Sequence, residues 1–439
     1  MKNVWLSRVN QVSVRGRGPN MLGLRKSGSS DEAYERYFMW SLIALFLVFF
    51  IVAHGLCWLN PSTGRPSVSF PIPYGWEYDC DSGVELCSAI DFPEGMLREK
   101  FRIARPLKNA LLSVPSKLLE LVVPLSLKTK KAISYIGHHL MNFLLLFLIL
   151  FVLFRLGARA RVEPEGLFVV SVWLLFATLT GMATSHTYLF QIATPAMLML
   201  FLLRAMEIEE WSRRDKIVSY ILYSALCGFT ALIKQQYAPF LAVLAFVLLT
   251  RRWMLALIWA TTFHLPLLFY RLSLHLTHVQ WYSHETQFHR QGVWWLDSLR
   301  SNGLSSTVKK FMEIAASSAD LFASYYGLVL LGTAFLGFCV KPIGAFQKNL
   351  RLFAVLMIGA NFIQTIGAAR LRGYMFGDSF LVVALFFSTG YGFLLKEYSS
   401  NRIAVRLGFF VFLIVNISIV LASHINLPWV SPFEQLQRP

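Results

Sequence analysis

ALIKQQYAPFL, residues Ala231 to Leu241, decides how this chain is read. It breaks an apolar tract that runs from about Ile217 to Thr250, placing Lys234, Gln235 and Gln236 in its middle. A lysine in the hydrocarbon centre of a bilayer is costly. A lysine at a turn between two short spans is not, because its stem can lie on apolar surface while the ammonium reaches water. Pro239, just beyond, suits the start of a second helix, where its missing N–H is no loss. The tract therefore reads as a tight hairpin of two spans with Lys234 at its tip.

Composition extends that reading to the whole chain. It has 439 residues, is 56% hydrophobic, contains 37 Phe and has a mean hydropathy of +0.53. That much apolar surface excludes a soluble globular protein and points to a polytopic membrane protein. The net charge of +17 does not argue for nucleic acid, because it comes in short blocks between apolar runs rather than on one soluble face. The first apolar run, about Phe38 to Cys57, follows a long basic head and reads as a signal anchor rather than a cleaved leader.

The expected architecture is an all-α bundle of about eleven spans. They fall near 38–58, 136–156, 166–183, 188–204, 217–233, 237–250, 254–270, 320–340, 352–369, 374–395 and 406–423. The connections RLGARAR (155–161), RAMEIEEWSRRDK (204–216), TRRW (250–253), KPIGAFQKNLR (341–351) and KEYSSNRIAVR (396–406) are short and basic. The positive-inside rule puts these connections and the N-terminus in the cytoplasm. Residues 1–37 form a basic head, disordered to about residue 30, and 38–423 the membrane domain. The other face then holds long loops at 59–135 and 271–319, three short turns and a tail at 424–439. Within the first loop, KNALLSVPSKLLELVVPLSLKTKK reads as interfacial helices broken by Pro115 and Pro124. Of the five cysteines, Cys227 and Cys339 fall in apolar runs and read as inert core residues. Cys80 and Cys87 could form a disulfide in an exoplasmic loop or be two free thiols.

Four features gather on the expected outer face. YDCDSGVEL carries Asp79, Asp81 and Glu85, and FRIARPLKNALL leads through Arg105 into the interfacial helices. The hairpin tip carries Lys234, and ARLRGYMFGDSF carries Arg370, Arg372, Tyr374 and Asp378. A solvated acidic loop and a snorkelling lysine would explain the first and third taken singly. Paired arginines at the outer end of a span run against the charge bias, and an anionic ligand would account for them. A basic pocket suits a lipid phosphate, and a nearby carboxylate suits a general base for an acceptor hydroxyl. His275, His278, His284 and His289 in the second loop have spacings that do not converge on a metal. The aromatics there, Trp281, Tyr282, Trp294 and Trp295, suit a membrane interface and could also stack on a sugar.

The combination resembles the GT-C superfamily of polytopic glycosyltransferases, which use polyprenyl-phosphate sugars. YDCDSG followed by FRIARPLKNALL resembles that family's first outer loop. The hairpin tip, with Ile233 before Lys234, resembles its paired short spans, and RLRGYMFGDSFLVVAL resembles its late Arg-Tyr segment. The resemblance implies inverting transfer with Asp81 as base and Asp79 as second choice, as base or metal partner. It implies Lys234 and Arg372 as ligands of the donor phosphate, with Arg105, Arg370 and Tyr374 in support. The acceptor would be a lipid or glycan, and the location a bacterial inner (plasma) membrane with the active site exoplasmic. No cofactor is firmly implied, and a divalent metal stays open. Two departures stand out: no Asp-Glu pair, and no large C-terminal periplasmic domain. The alternatives are a transporter or flippase of a lipid-linked anion, or a non-catalytic relative.

Overall fold

The computed structural model describes residues 29–54, 89–90, 92–98, 106–178, 188–207, 213–233, 237–250, 253–279, 294–367 and 374–425. Among them the fold is helical, with no strand. In chain order the helices are α1 (Ser29–His54), α2 (Glu94–Arg98), α3 (Pro106–Glu120), α4 (Leu127–Ala160), α5 (Pro164–Ala177), α6 (Tyr188–Glu207) and α7 (Arg213–Ala231). They continue as α8 (Tyr237–Leu249), α9 (Trp253–Leu276), α10 (Trp294–Cys339), α11 (Gly344–Gly367), α12 (Tyr374–Glu397) and α13 (Arg402–Ile425).

Among the described residues four segments are long and apolar enough to cross a membrane: Ile136–Ala160, Trp253–Leu276, Gly377–Glu397 and Ser399–Ser418. Pro164–Ala177, Tyr220–Ala231, Ala238–Leu249 and Tyr326–Cys339 are apolar but shorter. Large apolar side chains also face outward along the helices, Phe46, Leu144, Leu222, Leu268 and Phe410 among them. With lengths and surfaces of this kind, the chain is an integral membrane protein.

The hub is α12, which packs on α10, α6, α11, α5, α4 and α13. Its run from Gly377 to Ser388 is buried without a break. The closest crossing is with α10. A Cβ on Gly337 would collide with the Phe386 carbonyl, and one on Gly390 with the Thr333 carbonyl. Two glycines let two backbones touch, the device by which helices associate in lipid without a hydrophobic driving force.

Several element boundaries differ from the sequence reading, each for a local reason. α1 starts at Ser29, nine residues before the expected span at 38, with Asp31 and Glu32 in its first turn. Acidic groups there complement the helix dipole. α4 starts at Leu127 because the Ser126 side chain caps it, accepting from the Thr129 N–H at 3.2 Å. Pro115 does not end α3, which runs through it, and Pro124 falls in the following turn. The part of the expected second loop after Trp294 is helical. α10 bends at Gly303 and Gly327, whose φ angles of 76° and 72° only glycine adopts readily. The second bend falls inside the expected span at 320–340. Cys227 is buried, as its apolar run implied, but Cys339 is exposed at the end of α10 rather than in the core.

Candidate functional site

Asp79, Asp81, Arg105, Lys234, Arg370 and Arg372 lie outside the described residues, as do Glu85, Cys80 and Cys87. Tyr374 opens α12, and its side chain is not among those described. What the structure does describe is the framework on which these residues are strung.

Two hydrogen bonds organise that framework. The Leu107 N–H, in the first turn of α3, donates to the Leu232 carbonyl at 3.4 Å, in the turn that ends α7. The Ala238 N–H, in the first turn of α8, donates to Gln364 Oε1 at 2.6 Å. First-turn N–H groups have no partner within their own helix, so both bonds supply one from a neighbouring segment. Gln364 lies in the last turn of α11, and α12 follows after a short connection. The start of α3 thus meets the end of α7, and the start of α8 meets the end of α11, at the end of the bundle where α7 stops and α8 begins.

The buried charges collect there too. Among the described residues, Lys108 and Asp378 are the only Lys, Arg, Asp or Glu in the buried class. Lys108 follows Leu107 directly, and Asp378 lies in the second turn of α12. Beside Asp378, Ser379 Oγ shares a 2.9 Å hydrogen bond with the Tyr326 hydroxyl. The bend at Gly327 delivers Tyr326 to that position. Trp173 of α5 backs the pair, stacking at 5.7 Å on Tyr326 and 6.2 Å on Phe380. Intramembrane ionisable residues are expensive to bury and usually mark function.

Polar groups continue from Lys108 along the contact between α3 and α4. On α3 the buried face carries Lys108, Asn109, Ser113 and Ser116. On α4 it carries Ser134, His138 and Asn142, four residues apart and so on one face. Leu112 packs against Gly137 and Lys130 pairs with Glu120, which makes the helices antiparallel. That register sets Ser116 level with Ser134 and Lys108 level with Asn142. His138 Nδ1 lies 3.0 Å from the Ser134 carbonyl, which can only accept, so Nδ1 carries the proton. Ser113 and Ser116 donate back to Ala110 and Ser113 carbonyls. Among the described residues, Asn109 Oδ1 and Ser134 Oγ have no hydrogen-bond partner. Nor does either end of the Asn361 amide, one turn before Gln364 on α11. All three residues are buried.

Among the described residues no group of three His, Cys, Asp or Glu side chains gathers as metal ligands would. His275 and His278 close α9, while His284, His289, Trp281 and Tyr282 lie outside the described residues. Trp294 is taken up by packing: Phe311 stands 4.8 Å from its ring, and the Lys310 ammonium 4.9 Å above it.

The opposite end is built differently. α11 runs from Gln347 to Gln364, a distance of about 25 Å at helical rise. At the Gln347 end, Gln347 Nε2 donates to the Ala160 carbonyl at 2.7 Å. Tyr34 donates to the Val162 carbonyl and reaches Gly157 O at 3.4 Å. Glu165 accepts from Arg406 through a two-pronged contact at 2.7 and 2.8 Å and from the Tyr391 hydroxyl at 2.7 Å. Each partner there is a protein group.

Lys108, Asn109, His138, Asn142 and Asn361 are the residues sequence reasoning did not single out as a group. The three- and four-residue spacing of polar positions in α3 and α4 was the available signal. It was hidden because α3 reads as amphipathic in the ordinary sense, polar side outward. No family model, no curated protein and no solved structure matches the chain. The candidate site therefore rests on its own residues.

Proposed function

We infer that the chain is a membrane glycosyltransferase of the GT-C type, built on about eleven spans with the N-terminus cytoplasmic. It transfers a sugar from a polyprenyl-phosphate donor to a lipid or glycan acceptor on the exoplasmic face of a bacterial plasma membrane. The supporting observation is the pair of hydrogen bonds joining Leu107 to Leu232 and Ala238 to Gln364.

Arg105 stands two residues before Leu107, and Lys234 two residues after Leu232. Arg372 stands two residues before α12, whose neighbour α11 holds Gln364. Three basic segments thus lead into three helix N-termini, and helix N-termini favour anions. The first loop has its own tie to α3, through the Lys117 ammonium 5.7 Å from the Phe92 ring. Asp79 and Asp81 belong to that loop.

The chemistry balances without a covalent intermediate. Asp81 takes the proton of an acceptor hydroxyl, and the acceptor oxygen bonds to the anomeric carbon. The bond from that carbon to the phosphate oxygen breaks, and the electron pair leaves with the phosphate. Lys234 and Arg372 meet the developing negative charge, with Arg105, Arg370 and Tyr374 around them. Asp79 is the second choice, as base or as metal partner.

The test is sugar transfer from isotopically labelled polyprenyl-phosphate donor by purified protein, with Asp81→Asn as the variant. Loss of a general base lowers turnover by roughly 100-fold or more. Unchanged turnover in Asp81→Asn, with Asp79 intact, removes Asp81 as the base.

A further inference from the structure

α3 is inverted with respect to water. Its apolar side chains Leu111, Val114, Leu118 and Leu119 point outward, between 46% and 60% exposed. Its polar side chains Lys108, Asn109, Ser113 and Ser116 point inward, and only Lys117 and Glu120 near its end are polar and exposed. A helix of this pattern is stable only where its outer face meets hydrocarbon and its inner face meets polar groups. α4 supplies those groups in Ser134, His138 and Asn142. Behind α3 there is therefore a polar seam, walled from lipid by one short helix.

The seam is incompletely satisfied. Asn109 Oδ1 can only accept, and Ser134 Oγ can donate; neither has a partner among the described residues. Leaving a buried polar atom unmatched costs on the order of 1–3 kcal/mol. A ligand with hydroxyl donors and anionic acceptors would complete both, and Lys108 adds a positive charge at the seam's inner end. α3 is also lightly attached. Its principal packing partner is α4, its start is tied by the 3.4 Å Leu107–Leu232 bond, and its end by the Glu120–Lys130 pair.

The geometry points to the α3–α4 seam as the subsite for the head group of a lipid carrying a phosphate and sugar hydroxyls. The head enters sideways from the membrane beneath α3. Its phosphate lies on Lys108, a sugar hydroxyl donates to Asn109 Oδ1, and Ser134 donates to a head-group oxygen. The hydrocarbon chain runs out along Leu111, Val114 and Leu118. This deepens the transferase reading and rests on it, since it makes the seam the donor's route to Lys234. α3 acts as a strap that lifts to admit the head and closes over it.

The experiment is equilibrium binding of radiolabelled polyprenyl-phosphate hexose to the full chain in nanodiscs, with no acceptor present. Lys108→Gln should weaken binding at least tenfold, and Lys108→Arg should stay within about threefold of wild type. Neutral polyprenol should bind the wild type and Lys108→Gln alike. Inorganic phosphate in large excess should not displace the lipid; displacement would assign the site to free phosphate and overturn the proposal. A second variant leaves the polar groups intact. Leu112→Cys with Gly137→Cys places two thiols where the helices touch, and loss of free thiol on oxidation reports that they have bridged. Oxidation should cut binding at least tenfold and reductant should restore it. Wild-type affinity in the oxidised double variant, or in Lys108→Gln, overturns the proposal. Binding needs no turnover, so the two readings separate. Lys108-dependent binding without sugar transfer sinks the transferase and spares the seam. Transfer that survives oxidation of the cysteine pair sinks the seam and spares the transferase.

Discussion

The two ends of the bundle meet the same problem, buried polar groups in an apolar protein, to different degrees. At the Gln347 end, Tyr34, Gln347, Glu165, Tyr391 and Arg406 are matched to protein partners, and Glu35 Oε1 is the exception beside them. At the Gln364 end, Asn109, Ser134 and Asn361 keep buried polar atoms with no hydrogen-bond partner among the described residues. Lys108 and Asp378 are buried at that same end. The first arrangement is what a structural clamp requires, since a satisfied network fixes helices in place. The second is costly to the folded chain alone and becomes sensible when something else completes it. The difference teaches where to look for chemistry: the polar groups the fold leaves unfinished.

Substitutions can break this comparison or sharpen it. The largest effect should come from neither end but from the crossing that holds both together. Gly390→Val forces a side chain into the Thr333 carbonyl, and no flexible group can yield. We expect loss of the folded protein, a cost above about 4 kcal/mol, read as aggregation on size exclusion. Gly332, beside which a Cβ meets nothing, is the control and should tolerate Ala.

Asn361→Leu separates the ends more finely. If the amide serves only the fold, replacing it removes two unmatched polar atoms and stabilises the protein, by about 1 kcal/mol. The account expects that gain in melting temperature together with a loss of sugar transfer. A gain in stability with unchanged transfer would place Asn361 outside the site.

At the other end the opposite pattern holds. Arg406→Gln removes the two-pronged contact to Glu165 that pins α13 against α5. Arg406 is half exposed, so solvent screens the pair and the loss should be about 1 kcal/mol or less. Transfer should be unaffected at temperatures where the variant is folded.

The smallest effect concerns pH. Burial holds the Glu163 carboxyl above its ordinary range; the Glu165 backbone N–H opposes it, the Glu165 charge adds to the push, and Arg406 and Arg402 oppose it. The folded state then binds a proton more readily than the unfolded state. Stability from this group is present at low pH and lost as pH rises through the raised value. Glu163→Gln should therefore raise the melting temperature at neutral pH and leave it unchanged below the ordinary carboxylate range. A gain of equal size at both pH values would mean that the carboxyl's charge is not the cause.

The helical, membrane-spanning character was legible in the chain itself, because long apolar runs carry it directly. Two helices, α7 and α8, flank residues 234–236 as ALIKQQYAPFL implied, but α7 packs chiefly on α9 and α8 on α11 rather than on each other as a tight hairpin would. The bends at Gly303 and Gly327 were not legible, since a glycine in an apolar run reads the same whether it bends or packs. Pro115 misled in the other direction, because α3 accommodates it. Lys108 was visible only as one of many basic residues in the first loop. Its burial depends on which face of α3 meets α4, and that is decided by the tertiary fold. The hairpin's lysine has gained a context: the residues just before it hold α3, and those just after it are held by α11.

The most direct test of the central claim is turnover of labelled polyprenyl-phosphate sugar by the purified chain, comparing wild type, Lys234→Gln and Arg406→Gln. The account predicts transfer by the wild type and by Arg406→Gln, and a fall of roughly 100-fold in Lys234→Gln with its melting temperature unchanged. Equal turnover in Lys234→Gln and wild type, or no transfer by the wild type from any polyprenyl-phosphate sugar, would contradict it.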